Sequence, residues 1–467
     1  MNNNTTPLKS RRSFLKNSAI ASGSFFIVPR HVLGKGFVAP SDKVNIAAVG
    51  VGGRGRQNVE ELLKLDDVQV TAIADPAESW DLAAFYYKSK AGRGPVKAMV
   101  EEHFQEKSPN YKVNVYEDFR VMLEKESSLD AILCATPDHL HAYVSLLSMR
   151  AGKHVYCEKP LTHNIWEARM VAKVAKETGL ATQLGNQLHS TGYVRTAVEY
   201  MRAGVIGKIS EAHSWVPATR WDNSLVEMPK EVSPLPEGLN WDLWIGPRSS
   251  RPFNNAYAPV TWRDFWEFGC GALGDFGCHD MDAATWGLDL PAPETIEVRP
   301  AGFSNESLTP YGEIGYYNFA TSAENGPVKL TWYSGGLQPE LPEMAPRDFK
   351  LPRRGSMYVG EKGVMVTGGG GDPKVFPDDL YAGGSINETL SVTNGHHRDW
   401  VDAIKGGPAA SSNFEYGAHL TEITLLGVLS LRLGGQKIYW DAENMKAVGI
   451  PEADQYIEEP LRSGWEM

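Results

Sequence analysis

The spacing of hydrophobic residues changes character midway along the chain. In the first half, short and almost uninterrupted apolar runs alternate with segments whose apolar residues recur at helical spacing, such as Val59, Leu62 and Leu63. An apolar run bounded by polar turns is typical of a strand buried on both faces of a parallel sheet. Such runs lie at residues 44–49, 68–74, 130–135 and 154–157. This alternation predicts a doubly wound α/β domain over residues 41–187.

The second half lacks this alternation. Runs rich in β-branched and aromatic residues follow one another without regularly interposed helices, at residues 209–216, 295–299, 313–320, 328–333, 356–359 and 437–440. Such a series is typical of a large, open, mostly antiparallel sheet, so we predict an α+β domain over residues 188–440 and a C-terminal tail over 441–467. Helical spacing at 394–404 and 415–433 predicts two helices that cover the junction of the domains. The glycine run at 368–371 has no strand-to-helix context, so it predicts a hairpin loop.

The first 36 residues follow neither pattern. Ser10-Arg11-Arg12-Ser13-Phe14-Leu15-Lys16 precedes a weakly apolar run over 18–28, an arrangement that resembles a bacterial twin-arginine signal peptide. This run of about eleven residues is too short to cross a bilayer, which takes about 20. The alternative is an amphipathic first helix with two solvated arginines. The signal predicts a periplasmic or otherwise exported protein, with the twin-arginine translocase as a partner and cleavage near residues 33–39.

Composition and charge exclude some classes of binding partner. The chain of 467 residues has a formal net charge of −11 and an ordinary globular composition, with 42% hydrophobic residues. An acidic balance disfavours nucleic acid, whose phosphates bind clustered lysine and arginine. No apolar stretch elsewhere reaches spanning length, so we predict no stable membrane span in the mature form.

Four cysteines, Cys134, Cys157, Cys270 and Cys278, form no CxxC pair, which argues against a disulfide framework and structural zinc.

A glycine-rich sequence follows the first predicted strand. Gly50-Val51-Gly52-Gly53-Arg54-Gly55 satisfies G-x-G-x-x-G and leads into a helical segment. Dinucleotides need a tight turn, a close backbone approach to the pyrophosphate and a helix N-terminus directed at its charge. Asp75 ends the second strand about 20 residues later, where a carboxylate would bind the ribose 2′-hydroxyl and favour NAD over NADP. We predict a Rossmann domain whose NAD is bound by Gly50, Gly52, Gly53, Arg54, Gly55 and Asp75. The alternative is a glycine-rich surface turn with an unrelated acidic residue.

Polar residues also follow the next two predicted strands. Because ligands of open α/β sheets bind at the carboxyl ends of the strands, these residues should line one crevice with the glycine motif. They are Thr136, Pro137, His139, His141, Glu158 and Lys159. For the two histidines the alternative is a helix cap or a buried imidazole with satisfied hydrogen bonds, and His141 is the better candidate for ligand contact.

The sequence around Lys159 resembles a known family. Cys157-Glu158-Lys159-Pro160-Leu161, with Ala135-Thr136-Pro137 and the glycine motif, is similar to the Gfo/Idh/MocA family of glucose-fructose oxidoreductase and inositol dehydrogenase. The resemblance implies that Lys159 reaches nicotinamide and substrate, and that the peptide bond before Pro160 is cis. It also implies that Asn186 and Gln187 close the cofactor side of the pocket, and that the second sheet buries a homodimer or homotetramer interface. A surface salt bridge is the alternative for Lys159.

A second part of the resemblance is a glycine cluster that leads into a helix. Asp275 and His279 fall on one side of this helix and match the family's Asp-x-x-x-His. The family's roles would make His279 the general base, Asp275 the residue that orients a substrate hydroxyl, and Lys159 the cation that stabilises an alkoxide. A helix N-cap is the alternative for Asp275. Cys278, His279 and Asp282 lack a second ligand pair at a known spacing, so we predict no metal site.

Tryptophans are dense near this helix. Trp262 and Arg263 would offer an aromatic face and a guanidinium to a pyranose, so we predict that both contact the substrate together with Lys159, Asp275 and His279. Trp241 and Trp244, three residues apart, are predicted to pack beneath the domain instead.

Together these residues predict an exported oxidoreductase that transfers a hydride between a hydroxyl-bearing carbon of a carbohydrate or polyol and a tightly bound NAD. Free nucleotides are not supplied outside the cytoplasm, so the cofactor would be loaded before export and retained. The alternative is a redox-neutral glycosidase, lyase or epimerase, in which retained NAD oxidises the substrate transiently. Both need Lys159, Asp275 and His279, and the sequence does not separate them. A sugar-binding protein without turnover is a third interpretation.

Overall fold

A computed structural model describes residues 42–320, 325–381 and 386–467, so the predicted signal peptide of residues 1–36 lies outside the described residues. Eight strands are found in the described first half: β1 (Val44–Val49), β2 (Val68–Ala74), β3 (Trp80–Asp81), β4 (Lys90–Ala91), β5 (Asn114–Tyr116), β6 (Ala131–Cys134), β7 (His154–Glu158) and β8 (Thr182–Gly185). Six of these form a parallel sheet in the order β5-β2-β1-β6-β7-β8, while β3 and β4 pair with each other as a short antiparallel hairpin.

Helices cover both faces of this sheet because its central strands are apolar on both sides. Ile46, Ala47 and Ala48 of β1 are all fully buried. The helices are α1 (Gly53–Leu62), α2 (Arg93–Phe104), α3 (Phe119–Lys125), α4 (Asp138–Arg150) and α5 (Ile165–Thr178). A capping box between Asn164 and Glu167 starts α5. This start fixes the loop that leads from the end of β7 into α5.

The second sheet is mostly antiparallel, and this confirms the predicted fold class. Its described strands are β9 (Ile209–Trp215), β10 (Thr295–Ala301), β11 (Gly312–Phe319), β12 (Val328–Tyr333), β13 (Gly355–Gly360), β14 (Val364–Gly368), β15 (Gly371–Phe376), β16 (Ile438–Asp441) and β17 (Lys446–Ala447). They are arranged in the order β15-β14-β13-β9-β12-β11-β10-β16-β17. Among these described pairs β9 and β12 run parallel, and the others run antiparallel.

One long helix joins elements of both sheets. The helices after the first domain are α6 (Gly192–Arg202), α7 (Trp241–Ile245), α8 (Gly271–Asp280), α9 (Asp282–Gly287), α10 (His396–Ile404), α11 (Phe414–Arg432) and α12 (Asp454–Ile457). Helix α11 packs against α5, α8, β8 and β10, and Leu420, Ile423 and Leu426 on it are fully buried. A helix that is apolar on most sides belongs in a core rather than at a surface. In the described part of the chain, no helix combines the length and apolarity needed to cross a membrane.

Residues from the C-terminal part complete the core of the first domain. Trp400 of α10 is fully buried in one cluster with Ile46 and Tyr156. Trp465 is 5% exposed and packs against Tyr143, with ring centroids 4.9 Å apart. The segment predicted as a C-terminal tail is therefore packed into the protein.

The glycine run at 368–371 forms a hairpin, as predicted, since Gly368 of β14 pairs with Gly371 of β15. The two strands themselves were not predicted. The adjacent glycines interrupt the β-branched pattern by which the other strands of this sheet were found.

Candidate active site

A cavity of about 650 Å³ lies at the carboxyl ends of β1, β2, β6 and β7. Most residues predicted to bind cofactor or substrate lie on its wall: Gly50, Gly52, Gly53, Arg54, Asp75, Thr136, Pro137, His141, Glu158, Lys159, Gln187, Trp262, Arg263, Asp275 and His279. Gly55 and Asn186 lie behind the wall. Asn186 is fully buried and accepts a hydrogen bond from Ser412 Oγ at 2.6 Å, so it supports the cavity without lining it.

The glycine motif forms the turn between β1 and α1. Gly50 has a φ of +76°, and a Cβ there would lie 2.7 Å from the backbone nitrogen of Thr136. A Cβ on Gly55 would lie 2.0 Å from the Gly50 carbonyl oxygen, so this glycine allows α1 to pack against the turn. A Cβ on Gly52 would meet nothing within 4 Å, so the backbone there faces open space at the start of α1. This arrangement suits a pyrophosphate.

Asp75 is buried at the end of β2, beside the glycine turn. Its carboxylate accepts hydrogen bonds from the backbone N–H groups of Val51 (2.7 Å) and Ala77 (2.8 Å). Burial raises the pKa of Asp75 to about 6, although these hydrogen bonds oppose the rise. Each carboxylate oxygen keeps acceptor capacity toward the cavity, which a ribose diol would use. The glycine turn and Asp75 therefore fit a dinucleotide.

Two tyrosines next to the hairpin β3–β4 cover the glycine turn. The Tyr87 ring packs on Gly53 so closely that a Cβ on that glycine would lie 2.3 Å from it. Tyr86 contacts Tyr87, with ring centroids 3.9 Å apart, and stacks on Trp221 at 5.9 Å. Both tyrosines line the cavity where the dinucleotide backbone would bind. Neither tyrosine was predicted to line the site, and the local signal for them is the aromatic run Phe85-Tyr86-Tyr87 between two short strands.

Glu158 connects helix α1 with the segment that follows β8. Its Oε1 accepts hydrogen bonds from Asn58 Nδ2 (2.7 Å), Gln187 Nε2 (2.7 Å) and Arg54 Nε (3.3 Å). Burial alone would raise the pKa of Glu158, but the Arg54 guanidinium and these hydrogen bonds hold it below its usual value. Glu158 is thus a carboxylate that fixes the first turn of α1 and the loop after β8.

Lys159 and Asp275 face each other where α8 forms part of the cavity wall. Lys159 Nζ donates to the Asp275 carboxylate and, at 2.6 Å, to its backbone oxygen, while Arg263 Nε lies 3.5 Å from the carboxylate. Although burial would raise the pKa of Asp275, the Lys159 and Arg263 cations hold it well below its usual value. The Lys159–Pro160 bond is cis, as the resemblance implied. Lys159 therefore forms a buried pair inside the site, and the surface salt bridge considered from sequence is wrong.

His279 lies one turn beyond Asp275 on α8 and lines the same cavity. Burial first, and then the nearby Lys159 and Arg354 cations, hold its pKa well below the usual value for histidine. Its imidazole is therefore uncharged at neutral pH and able to accept a proton. Among the residues that the structure describes, none forms a hydrogen bond with its buried Nδ1.

Glycines allow α8 to bring these side chains opposite Lys159. A Cβ on Gly277 would lie 2.7 Å from Thr424 Cγ2 of α11, and a Cβ on Gly274 would lie 2.1 Å from Cys270 Cβ. The missing side chain at Gly277 lets α8 and α11 approach closely, and the one at Gly274 leaves room for Cys270 at the start of α8. The glycine cluster seen in the sequence is thus a packing feature that sets the position of the site.

Aromatic side chains and a guanidinium form the wall beside this cluster. The Arg263 guanidinium lies 4.1 Å from the Trp262 ring centroid and 5.7 Å from that of Trp221. Trp244 also lines the cavity, whereas its stacking partner Trp241, 4.7 Å away, belongs to the core beneath. The sequence analysis placed both of these tryptophans in the core, and Trp244 belongs to core and wall alike.

Arg354 reaches the site from the second sheet. It precedes β13, lines the cavity and binds the Asp280 carboxylate through Nε (2.7 Å) and Nη2 (2.9 Å). Nothing in the sequence around Arg354 marks a site, because its position depends on how the second sheet packs against α8. Sequence reasoning missed it for that reason.

His139 is a buried imidazole, the alternative considered for it, and burial holds its pKa well below the usual value, so one of its ring nitrogens carries a hydrogen to donate. Its ring nitrogens lie 3.2 Å from the Phe268 backbone oxygen and 3.0 Å from that of Trp244. It does not line the cavity.

His141 lines the cavity edge and belongs to a buried group of potential metal ligands. Its ligand atom lies within 4.8 Å of those of Cys134 and Cys157. However, its ring nitrogens already contact the backbone oxygens of Pro160 (2.7 Å) and Thr136 (2.9 Å). Because a backbone oxygen lies in front of each ring nitrogen, we assign no metal to this group.

The parallel sheet with its glycine turn, and the buried lysine, aspartate and histidine of the same cavity, define the class of NAD-binding oxidoreductases. Residues 44–186 match the oxidoreductase family Gfo/Idh/MocA, NAD-binding Rossmann fold, and residues 209–322 match the C-terminal alpha/beta domain of that family. Together these matches cover more than half of the chain. The chain belongs to the Gfo/Idh/MocA oxidoreductase family, and NAD is its cofactor, as predicted.

Curated relatives include the alpha-N-acetylgalactosaminidase of Shewanella oneidensis, 24% identical over 230 residues, which cover 45% of this chain and 47% of the relative. A glycosyl hydrolase family 109 protein of Shewanella baltica matches with the same identity and coverage. The chain thus spans about half the length of the curated relatives it matches.

Solved structures share the fold over most of the chain. The WlbA dehydrogenase of Bordetella pertussis, solved with NADH and UDP-GlcNAcA, has a TM-score of 0.56 at 16% identity and covers 85% of this chain and 99% of its own. Levoglucosan dehydrogenase, solved with NADH and levoglucosan, has a TM-score of 0.55 at 16% identity with the same coverage.

Proposed function

We propose that this protein oxidises a hydroxyl-bearing carbon of a carbohydrate or polyol with a tightly held NAD. The observation that carries the proposal is that Lys159, Asp275 and His279 line the same cavity as the glycine turn. Substrate bound between these groups would lie next to the nicotinamide end of a dinucleotide that extends from the turn.

The chemistry follows from the charge state of each side chain. NAD, when bound, supplies the acceptor for the hydride that leaves the substrate carbon. Neutral His279 takes the hydroxyl proton, because burial and neighbouring cations keep it unprotonated. Lys159 stabilises the developing alkoxide, and the Asp275 carboxylate orients the hydroxyl.

The wall of the cavity supports a carbohydrate substrate. Trp262 and Trp221 present aromatic faces, and Arg263 between them is a donor for hydroxyl groups. Two proteins of the same fold were solved with a sugar nucleotide and with an anhydrosugar, respectively. These observations favour a sugar ring over an acyclic substrate.

A second candidate is redox-neutral chemistry on a glycoside, favoured by two observations. The Tyr87 ring covers Gly53 and would hinder exchange of the nucleotide, and curated relatives are named as glycosidases. Oxidation at a ring carbon acidifies the neighbouring C–H, loss of that proton expels a glycosidic substituent, and water adds in its place. The hydride is then returned to the same carbon, so substrate hydrolysis proceeds without net oxidation.

We further propose that the protein is exported through the twin-arginine translocase and assembles as a homodimer or homotetramer. The arginine pair Arg11-Arg12 with its following apolar run supports export. The open second sheet, which carries the exposed Tyr439 on β16, supports assembly through its outer face.

Protein purified without added nucleotide tests the proposal. Its ultraviolet spectrum reports bound NAD, and sugars and glycosides are then added one at a time while the NADH band and product masses are followed. A lasting NADH band with an oxidised product supports the dehydrogenase, and a hydrolysed or epimerised product without it supports the second candidate. Lys159→Ala protein with its bound NAD is the control. NAD-loaded protein that binds sugars but converts none would overturn both.

A further inference from the structure

A second cavity of about 350 Å³ adjoins the active site on the side of the second sheet. Tyr193, Val194 and Ala283 form one wall, and Thr367 with the glycine hairpin after β14 forms the other. This volume falls within the range of small-molecule sites in proteins. Of the family's lysine, aspartate and histidine only His279 lines this cavity, and no residue of the cofactor motif does.

The two cavities share their dividing wall. Leu188, His279 and Arg354 line both of them. Arg354 is held in place by its two hydrogen bonds to Asp280, at 2.7 and 2.9 Å. A ligand that occupied both cavities would contact the same imidazole and guanidinium on its way from the first to the second.

The lining of the second cavity suits a polyhydroxylated ligand. Tyr193 offers an aromatic ring, and the Arg354 and Asp280 pair offers charged donors and acceptors beside it. Thr367 adds a hydroxyl. The hairpin residues Gly369 and Gly370 have φ values of +66° and +75°, and a Cβ on either would meet nothing within 4 Å. Their backbone groups are thus accessible from the cavity.

We propose that this second cavity is a subsite for a further sugar unit, joined to the unit whose hydroxyl faces His279. This inference rests on the proposed function, and it makes the substrate a glycoside of at least two units rather than a free monosaccharide. The first cavity must hold both the dinucleotide and the reacting ring, so a second ring has to lie beyond the dividing wall.

Matched sugar pairs test the subsite by binding. The probes are glucose with maltose and cellobiose, galactose with lactose, and N-acetylglucosamine with N,N′-diacetylchitobiose, each titrated calorimetrically into the NAD-loaded protein. We expect at least one disaccharide to bind about tenfold more tightly than its monosaccharide. Monosaccharide binding with no gain from the second unit would overturn the subsite and leave the proposed function intact. Absence of binding by every sugar would overturn the proposed function instead.

Variants of the second cavity test whether the tighter binding of a disaccharide arises there. Ala283 is 6% exposed on α9, and Ala283→Phe would fill the cavity, whereas Ala283→Ser would keep its volume. The quantity compared is the affinity for a disaccharide divided by the affinity for its monosaccharide. We expect Ala283→Phe to lower this ratio to about threefold or less, and Ala283→Ser to preserve it. Thr367→Trp, from the opposite wall, replaces Ala283→Phe if that variant does not fold. An unchanged ratio in a folded cavity-filling variant would refute the assignment.

Discussion

His279 can act as a base because its surroundings keep it uncharged. Burial is the largest cause, and the Lys159 and Arg354 cations add to it. The same Lys159 cation holds Asp275 ionised. One lysine thus sets the charge state of both neighbours, and the three side chains act as one unit.

We predict that His279→Ala and Lys159→Ala each lower kcat by about 10² to 10⁴-fold, the usual contribution of a positioned proton acceptor. The double variant should lose much less than the product, because both side chains serve the same step. The measurement is single-turnover formation of NADH from retained NAD. Bound NAD should stay near parental levels, because the glycine turn and Asp75 are untouched. An unchanged rate in His279→Ala would eliminate it as the base.

Asp75 predicts a pH dependence of cofactor binding. Its raised pKa of about 6 means that the free protein protonates this carboxyl as the pH falls through that value. The protonated form stabilises the free folded protein at low pH, and this stabilisation is lost as the pH rises through about 6. A ribose hydroxyl needs the carboxylate as its hydrogen-bond acceptor. The affinity for NAD should therefore increase as the pH rises through about 6. At about pH 5 we expect affinity about tenfold weaker than at neutral pH.

Fluorescence titration with NAD across this range is the measurement. Asp75→Asn is the matched control, because it has no proton to lose and should show weak binding that hardly varies with pH. If the NAD affinity of the parent protein varied as little with pH as that of Asp75→Asn, the role of Asp75 would be contradicted.

Residues within short motifs could be predicted, and residues that depend on packing could not. Gly50, Asp75 and Lys159 follow strands directly, so their place at one sheet edge follows from strand order alone. Tyr86 and Arg354 reach the same cavity through a hairpin and a distant sheet. Neither has a spacing in the sequence that connects it to the motif residues.

At the scale of elements, the contact between α8 and α11 fixes the reacting side chains. The contact depends on Gly277, where an added Cβ would lie 2.7 Å from Thr424 Cγ2. In an isolated helix, glycine to alanine is favourable by about 1 kcal/mol. Overpacking a core contact costs about 1 to 3 kcal/mol, so we expect the steric effect to dominate here.

Gly277→Ala should therefore destabilise the protein by about 1 to 2 kcal/mol in urea unfolding, and it should also lower kcat because α8 carries Asp275 and His279. Adding Thr424→Ala removes the clashing methyl group and should restore part of both losses relative to the Thr424→Ala single variant. Greater stability of Gly277→Ala than of the parent would show that the helices are not in close contact.

The elements themselves were largely predictable because their patterns are local. Apolar runs identified β1, β2, β6 and β7, and runs rich in β-branched and aromatic residues identified β9 and β12. The parallel pairing of β9 with β12 was not predicted, because the register between strands so distant in sequence is set by the whole sheet. The strands β14 and β15 were not predicted, because the glycines that indicate the hairpin also interrupt the β-branched pattern of the strands beside it.

At the scale of the whole molecule, a buried ion pair holds the C-terminal segment in place. Glu459 binds Arg248 Nη1 at 2.5 Å and His163 Nδ1 at 2.9 Å, and His163 lies in the loop between Lys159 and α5. Burial opposes ionisation of Glu459, but Arg248 and His163 hold its pKa well below the usual value. The segment that follows the second sheet thus buttresses the loop of the catalytic lysine.

Glu459→Gln should lower the free energy of unfolding by about 3 to 5 kcal/mol at neutral pH, because buried Arg248 would lose the carboxylate that it binds directly. Since the folded pKa is depressed, the stabilisation is complete above the ordinary value of 4.5 and is lost as the pH falls below it. Urea unfolding is the measurement. Exposed Glu458 provides the control, and Glu458→Gln should change stability by less than about 0.5 kcal/mol. Equal effects of the two substitutions would rule out the buried pair.

The proposed export route predicts the fate of the whole chain. Replacing both Arg11 and Arg12 by lysine should trap the precursor in the cytoplasm, because the translocase recognises the guanidinium pair. Fractionation of cells followed by immunoblotting measures the distribution. Arg30→Lys, outside the motif, is the control and should be exported. Normal export of the double lysine variant would remove the localisation proposal.

The packing of Trp400 and Trp465 into the first domain also has a consequence for the order of events on the ribosome. Tyr156 emerges about 10 to 50 s before Trp400 at synthesis rates of roughly 5 to 20 residues per second. During that interval the nascent sheet lacks the side chains that complete its core, so it exposes apolar surface and needs chaperone protection. We expect the glycine turn and Asp75 to hold a nucleotide stably only once this core is complete, so cofactor loading should follow synthesis of the chain.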